Sequence, residues 1–177
     1  MKNIRLVVPN FDDYSYKEKI ENDKDTMSYN AGYDVSYEGY NYDTGCIKFN
    51  KDNWKWLLSG DRVYFAYILD CDSNNYVGYV TYEWSEIYDE YECSVLIEHK
   101  YRKLGYGADA LKLLIKEAYK NGIDSLYDTF EKNRSHTFEL FKSLGFKIFK
   151  ESRWKKFGEY VDGVVVYVET KIVEENC

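Results

Sequence analysis

The stretch Val95-Leu-Ile-Glu-His-Lys-Tyr-Arg-Lys-Leu-Gly-Tyr-Gly107 decides how this chain is read. It opens on three apolar residues, Val95, Leu96 and Ile97, which predict a strand, and closes on Arg102, Lys103, Leu104, Gly105, Tyr106 and Gly107. Beyond it Leu111, Leu114, Ile115, Ala118 and Tyr119 fall at i, i+3, i+4, i+7 and i+8, one face of a helix. A strand that feeds a glycine-punctuated turn at a helix N-terminus is suited to hold an anion. Glycines let the backbone approach closely, and the first-turn N–H groups and the helix dipole point at the bound charge. Arg102 and Lys103 add positive charge there, so the expected ligand is a phosphate or pyrophosphate.

Working outward, Ile4–Val8 predicts a first strand closed by Pro9, and Asp12 or Asp13 can cap a helix through about Glu21. Residues 22–45 show no period of either kind; they interleave Tyr29, Tyr33, Tyr37, Tyr40 and Tyr42 with Asp25, Asp34, Glu38 and Asp43. So long a segment without elements is functional or disordered, and its aromatic content argues against disorder. Asn50 or Asp52 can cap a helix over Trp54–Leu58 that Gly60 ends. Val63–Leu69, Tyr76–Glu83 and Tyr91–Ile97 then read as three strands of a meander, joined by turns at Asp70–Asn75 and Tyr88–Glu90. The long helix stops at Asn121-Gly122, and Ile123–Tyr127 is a strand, which makes a right-handed parallel crossover. A helix over Ser135–Leu144, a strand from Phe146 to Phe149, a basic turn at Arg153–Lys156 and a strand over Val164–Val168 complete one α/β domain, residues 1–177, with a mixed sheet.

Composition narrows the function classes. With 45% hydrophobic residues, one proline and 11 glycines, the 177-residue chain can bury a full core. Cys46, Cys71, Cys93 and Cys177 show no C-x-x-C spacing and read as reduced thiols, neither a disulfide frame nor a zinc site. No metal is expected. No signal peptide or membrane-spanning run is seen, which makes the cytoplasm the default location and a membrane partner unexpected. No basic stripe or motif points to nucleic acid. Residues 1–98 carry nine Lys and Arg against 19 Asp and Glu, whereas residues 99–177 carry 15 against 12. That asymmetry suits an anionic cofactor on one side and a cationic substrate on the other, and equally a chance bias of solvated surface.

The meander, the strand–turn–helix of Ile97-x-x-x-Tyr101-Arg102-x-x-Gly105-x-Gly107, and the later Leu140-Phe-Lys-Ser-Leu-Gly-Phe146 together resemble the GCN5-related N-acetyltransferase (GNAT) superfamily over about residues 4–170. Gly158-Glu-Tyr-Val-Asp-Gly-Val-Val165 looks like the closing hairpin of its small-molecule members. The resemblance implies a GNAT-like fold whose parallel pair splays at the cofactor strand. Arg102, Lys103, Gly105, Tyr106, Gly107 and Ala108 would hold the pyrophosphate of acetyl-CoA as co-substrate, with Asn133 carried over at an offset spacing. Val95, Leu96 and Ile97 would offer main-chain groups to the pantetheine arm, as an added strand pairs with an open sheet edge. The splay between this strand and Ile123–Tyr127 would form the acyl pocket. One departure matters. Where many members carry a tyrosine that protonates the leaving thiolate, this chain has Phe141, so Tyr127, Ser135, His136 or water would have to serve.

Amine acetylation needs a neutral amine near the thioester, a dipole on the developing oxyanion and a route for the amine proton. A backbone N–H of a bulged strand near Leu96 or Ile97 is the expected oxyanion donor. Glu92 and Glu98 bracket the cofactor strand, Glu83 lies on its neighbour, and Glu92 shares strand parity with Leu96. His99 reads as a surface residue and His136 as a polar cap. Tyr29, Tyr33, Asp34 and Tyr37 are the candidates for gripping a cationic acceptor through cation–π and ionic contacts, or else a lid packed on the core. The expected activity is direct transfer in a ternary complex to a small amine or peptide amine; Cys93 is a poor candidate for an acetyl-cysteine intermediate. A non-catalytic acyl-CoA-binding module and a protein N-acetyltransferase are the rival readings, and a homodimer is the candidate assembly.

Overall fold

The computed structural model describes residues 1–171; Cys177, read above as a reduced thiol, lies outside them. The described residues form one seven-stranded sheet from β1 (Ile4–Val7), β2 (Val63–Asp70), β3 (Asn75–Ser85), β4 (Glu90–Ile97), β5 (Ser125–Glu131), β6 (Lys147–Lys156) and β7 (Glu159–Glu169). The spatial order is β1-β2-β3-β4-β5-β7-β6. Every neighbouring pair is antiparallel except β4 and β5, which are parallel and meet at a single pair, Glu92 with Tyr127. Beyond that pair the two strands part. The α-helices are α1 (Ser15–Glu21), α2 (Lys24–Met27), α3 (Lys51–Ser59), α4 (Tyr106–Lys120) and α5 (Ser135–Ser143).

Period-two alternation gives the sheet two covered faces. On the back, Cys93 of β4, Leu126 and Phe130 of β5 and Val164, Val166 and Val168 of β7 pack against α4 and α5. Helix α4 buries Ala110, Leu111, Leu114, Ile115 and Ala118 there, while Tyr119, expected on the same face, is 37% exposed. On the front, Leu96, Tyr79, Phe65 and Tyr67 pack against Ile20 of α1 and Trp54 of α3. Trp54 is fully buried and donates its indole N–H to the Phe11 carbonyl at 2.7 Å.

Several expected boundaries move, each for a visible reason. Asn50 caps α3 by accepting from the Asn53 N–H at 2.9 Å, and Gly60 follows it as expected. Helix α1, however, starts at Ser15 without a side-chain cap. Asp13 is engaged elsewhere: its carboxylate accepts from the Tyr76 hydroxyl and its carbonyl from Tyr67. The segment 22–45 is not without elements, because Asp23 caps the short α2 by accepting from the N–H groups of Asp25 and Thr26, and a 3₁₀ turn follows at Ser28–Asn30. Strand β5 continues past Tyr127 to Glu131, so the splay lies between the C-terminal halves of β4 and β5 and not beside Ile123–Tyr127. The basic run Arg153–Lys156 is strand rather than turn. As part of edge strand β6 it alternates exposed charges with Trp154, whose ring lies where a Cβ on Gly163 would stand, 1.8 Å away. The chain reverses one step later, at Phe157 and Gly158, both with positive φ.

Candidate active site

The turn before α4 is built to leave donors free. Lys103 and Gly105 adopt left-handed conformations, φ +61° and +91°, and nothing lies within 4 Å of where a Gly105 Cβ would point. The N–H groups of Lys103, Leu104 and Gly105 make no hydrogen bond among the described residues, and those of Tyr106, Gly107 and Ala108 open the first turn of a 15-residue helix. Six consecutive donors at a positive helix end form an anion cradle. Tyr106 anchors it from below, 7% exposed and packed edge-on against Tyr101.

Arg102 keeps its charge beside the turn, but its guanidinium donors are spent on main-chain carbonyls. Its guanidinium donates to the carbonyls of Ile97 at 3.1 Å, Thr26 at 2.6 Å and Asp25 at 3.4 Å, which ties the turn to α2. Lys103 is exposed and unpaired among the described residues, so it is the side-chain cation beside the cradle. Asn133 is exposed in the link to α5 and makes no hydrogen bond among the described residues.

Hydrogen-bond parity selects the open groups of β4. The β3–β4 register runs unbroken from Ser85↔Glu90 to Gly78↔Ile97, with no bulge, contrary to the expectation of a bulged strand. The Glu98 N–H donates to the Val77 carbonyl. Antiparallel pairs alternate between hydrogen-bonded and open, so Leu96 spends its main-chain groups on Tyr79, and those of Val95 and Ile97 face the splay. The Ile97 carbonyl is already taken by Arg102. What remains for a ligand arm are both main-chain groups of Val95 and the N–H of Ile97.

The carboxylates separate by environment. Glu83 and Glu92 are direct cross-strand partners on the front face. Burial raises the pKa of both, and the Glu83 charge raises Glu92 further. Glu98 is 7% exposed and held by the Tyr16 hydroxyl at 3.0 Å and by Lys19 and Lys100, an ion cluster that ties α1 to the turn after β4. Tyr127 stacks on Tyr167 and meets Phe149 edge-on, and its hydroxyl leans toward Glu90, below the point where the strands part.

Two cavities open on the front face. The first, about 310 Å³, is lined by Glu21, Glu38 and Glu83 together with Tyr37, Trp56 and Tyr79. Lys17 and Lys48 also reach it, but Lys17 is neutralised by Glu21 at 2.7 Å. The buried Thr81 hydroxyl that lines it has no partner among the described residues. The second, about 410 Å³, is lined by Tyr29, Tyr33, Asp34, Thr129, Arg134 and Trp154. The four candidate acceptor residues are therefore divided, Tyr37 in the first cavity and Tyr29, Tyr33 and Asp34 in the second. Tyr33 is tied down further: its hydroxyl donates to Glu131, which Lys156 also holds at 2.8 Å.

One titratable residue at the splay escaped the sequence reading. Asp128 lies one step past the Glu92–Tyr127 pair, partly exposed, and its carboxyl is pushed up to about 7 by burial and by Glu92, against a hydrogen bond from Thr129 and the charge of Arg134. The signal was in the pattern. Leu126, Asp128 and Phe130 share parity, so a carboxylate occupies an apolar position of the strand.

The acetyltransferase (GNAT) family model matches residues 28–146. No curated protein matches the chain. Among solved structures, the spermidine N-acetyltransferase of Vibrio cholerae in complex with CoA and spermine superposes with a TM-score of 0.76 at 15% identity, over 97% of this chain and 98% of its own. The yncA protein of Salmonella typhimurium with its cofactor acetyl-CoA gives 0.72 at 18%, over 95% and 94%. A GNAT-family acetyltransferase of Bacillus anthracis gives 0.67 at 14%, over 96% of both chains. At such identities the likeness is one of fold.

Proposed function

The chain belongs to the acetyltransferase (GNAT) family, and we propose that it moves the acetyl group of acetyl-CoA directly to the primary amine of a small cationic molecule, in a ternary complex in the cytoplasm. The observation that carries the acceptor class is the first cavity. Glu38 and Glu83, the two lining carboxylates not spent on Lys17, together with four aromatic rings and a Thr81 hydroxyl that has no partner among the described residues, suit an ammonium-bearing chain, through ionic, cation–π and hydrogen-bond contacts. The spermine-bound Vibrio cholerae enzyme, similar in fold, supports the same class.

The chemistry follows from the geometry. The cradle of Lys103–Ala108 holds the pyrophosphate, and the Ile97 N–H and the Val95 carbonyl pair with the pantetheine arm along the splay, which leaves the Val95 N–H unspent. This brings the thioester between β4 and β5, with a free β4 N–H available to its oxyanion. Glu83 lines the acceptor cavity and adjoins Glu92. Because burial has raised both, each is a stronger base than an ordinary carboxylate and can relay the amine proton outward.

The test is release of CoA from acetyl-CoA over a panel of polyamines, monoamines, amino acids, aminoglycosides and peptides. Turnover confined to di- and polyamines supports the reading; turnover confined to peptide N-termini or lysines would replace it with protein acetylation.

A further inference from the structure

Acetyl transfer to an amine discharges a thiolate, and the side chains walling the splay behind the thioester decide what can protonate it. That wall is almost wholly apolar. Phe130 packs on Phe141 with centroids 5.1 Å apart, and Phe141 on Phe146 at 4.7 Å, so position 141 of α5 presents a phenyl ring with no proton to give. Tyr91, on the back face of β4, is turned away onto Tyr82 and Trp84 of β3. Among the described residues, two proton-bearing side chains stand just where the strands part. Cys93 and Asp128 stand opposite each other one residue beyond the Glu92–Tyr127 pair. Cys93 is in the back-face core, and Asp128 shares the parity of Leu126 and Phe130, which are in it too. Cys93 is 3% exposed, whereas Asp128 is partly exposed. One Asp128 oxygen accepts from the Thr129 N–H at 2.7 Å, and the other has no partner among the described residues.

We propose that Asp128 is the proton donor to the departing CoA thiolate, an assignment that rests on the acetyl-transfer reading above. As the amine nitrogen bonds to the carbonyl carbon and the C–S bond breaks, the electron pair passes to sulfur and the Asp128 proton follows it, leaving free CoA thiol and an Asp128 carboxylate. The proton shed by the amine passes to the Glu83–Glu92 pair and on to water, and water returns one to Asp128. Protons and charge balance over the cycle. With a carboxyl near 7, about half of the molecules carry the needed proton at neutral pH. The groups that set this are Glu92, which raises it, and Arg134 and the Thr129 N–H, which lower it. Cys93 faces it as a thiol held neutral by burial and by Asp128 itself. A buried thiol with a raised pKa is the poorer acid.

The test compares Asp128→Asn with the wild type on two acyl donors, acetyl-CoA and the acetyl thioester of 4-nitrothiophenol, whose thiolate leaves without help. With acetyl-CoA at pH 7, kcat is expected to fall by on the order of 10²-fold, with CoA affinity retained and the decline above pH 7 abolished. With the activated thioester the deficit is expected to shrink to within about threefold, because leaving-group protonation no longer limits. An unchanged kcat, or an equal deficit on both donors, overturns the proposal; the second result would make Asp128 a base or a structural residue. Asp128→Ser, read the same way, decides the matter if the Asn variant melts early or loses CoA. A wild-type chain that acetylates no amine sinks the acetyl-transfer reading and this proposal with it. An active wild type with an insensitive variant sinks the proposal alone.

Discussion

The Arg102 guanidinium donates to the main-chain carbonyl of Thr26 at 2.6 Å and thereby joins the anion cradle to the segment covering the front face. One side chain thus holds the turn before α4 and helix α2 in fixed relation. A mobile surface arginine would have steered the phosphate; this one is a strut.

Replacing Arg102 with alanine removes three charge-assisted hydrogen bonds, each worth about 1.5–3 kcal/mol net. The Michaelis constants for acetyl-CoA and for the amine are expected to rise together, by about tenfold or more. Arg102→Lys keeps the charge but loses the fork. Full recovery in the lysine variant would return Arg102 to the role of a phosphate cation.

Gly107 has room for a methyl group, since a Cβ there would lie 3.7 Å from both Ile97 and Leu140, in ordinary contact. Gly107→Ala is therefore expected to fold and bind normally. Gly107→Leu should weaken acetyl-CoA binding by about tenfold or more while the melting temperature falls by only a few degrees, because the longer side chain crowds the space between Ile97 and Leu140 beside the cradle. Calorimetric titration with CoA checks this, and undiminished affinity would remove the pyrophosphate assignment.

Glu83 carries a pH signature. Its folded pKa is raised by burial, so the native state holds a proton that the unfolded state releases from about pH 4.3 upward. Stability from that difference is complete below the unfolded value and is lost as pH rises through the folded one. Glu83→Gln should therefore melt higher than wild type at pH 8, gain nothing at pH 4, and lose affinity for the cationic acceptor. Thermal melts across that range, with acceptor KM alongside, would reveal the opposite slope if the carboxylate were paired instead.

The Lys156–Glu131 pair behaves oppositely. Burial works to raise Glu131, but hydrogen bonds from Lys156 and Tyr33 and the charges of Lys156 and Arg134 overcome it and hold the carboxyl low. Its contribution is present above the ordinary carboxylate range and lost as pH falls through the folded value. Lys156→Met strands a carboxylate that is 7% exposed. The expected cost is about 2–3 kcal/mol at pH 7, with a much flatter loss of stability on acidification. Equal acid sensitivity in the variant would show that the pair is not what the fold senses.

Much of this arrangement was legible without coordinates. Apolar spacing located the strands of the meander and helix α4, and Gly105 announced the left-handed residue on which the cradle turns. The Asn50 cap was legible because capping is a contact three residues long. Reading failed where a local pattern was overruled from afar. Asp13 is a good cap by type but serves Tyr67 and Tyr76, more than 50 residues on. The charges of β6 resemble a loop because an edge strand exposes one side to water.

By itself the sequence determined the family architecture, the anion cradle and the ligand class it suits, since each rests on neighbours within one turn of helix or one strand. Tertiary structure alone decided how each carboxylate is surrounded. Strand register set Glu83 against Glu92, packing buried Glu98 among Tyr16, Lys19 and Lys100, and the parting of β4 from β5 left Asp128 at the opening. A carboxylate's basicity depends on how much water its surroundings exclude and which charges they bring close, and those surroundings come from segments far apart in the chain.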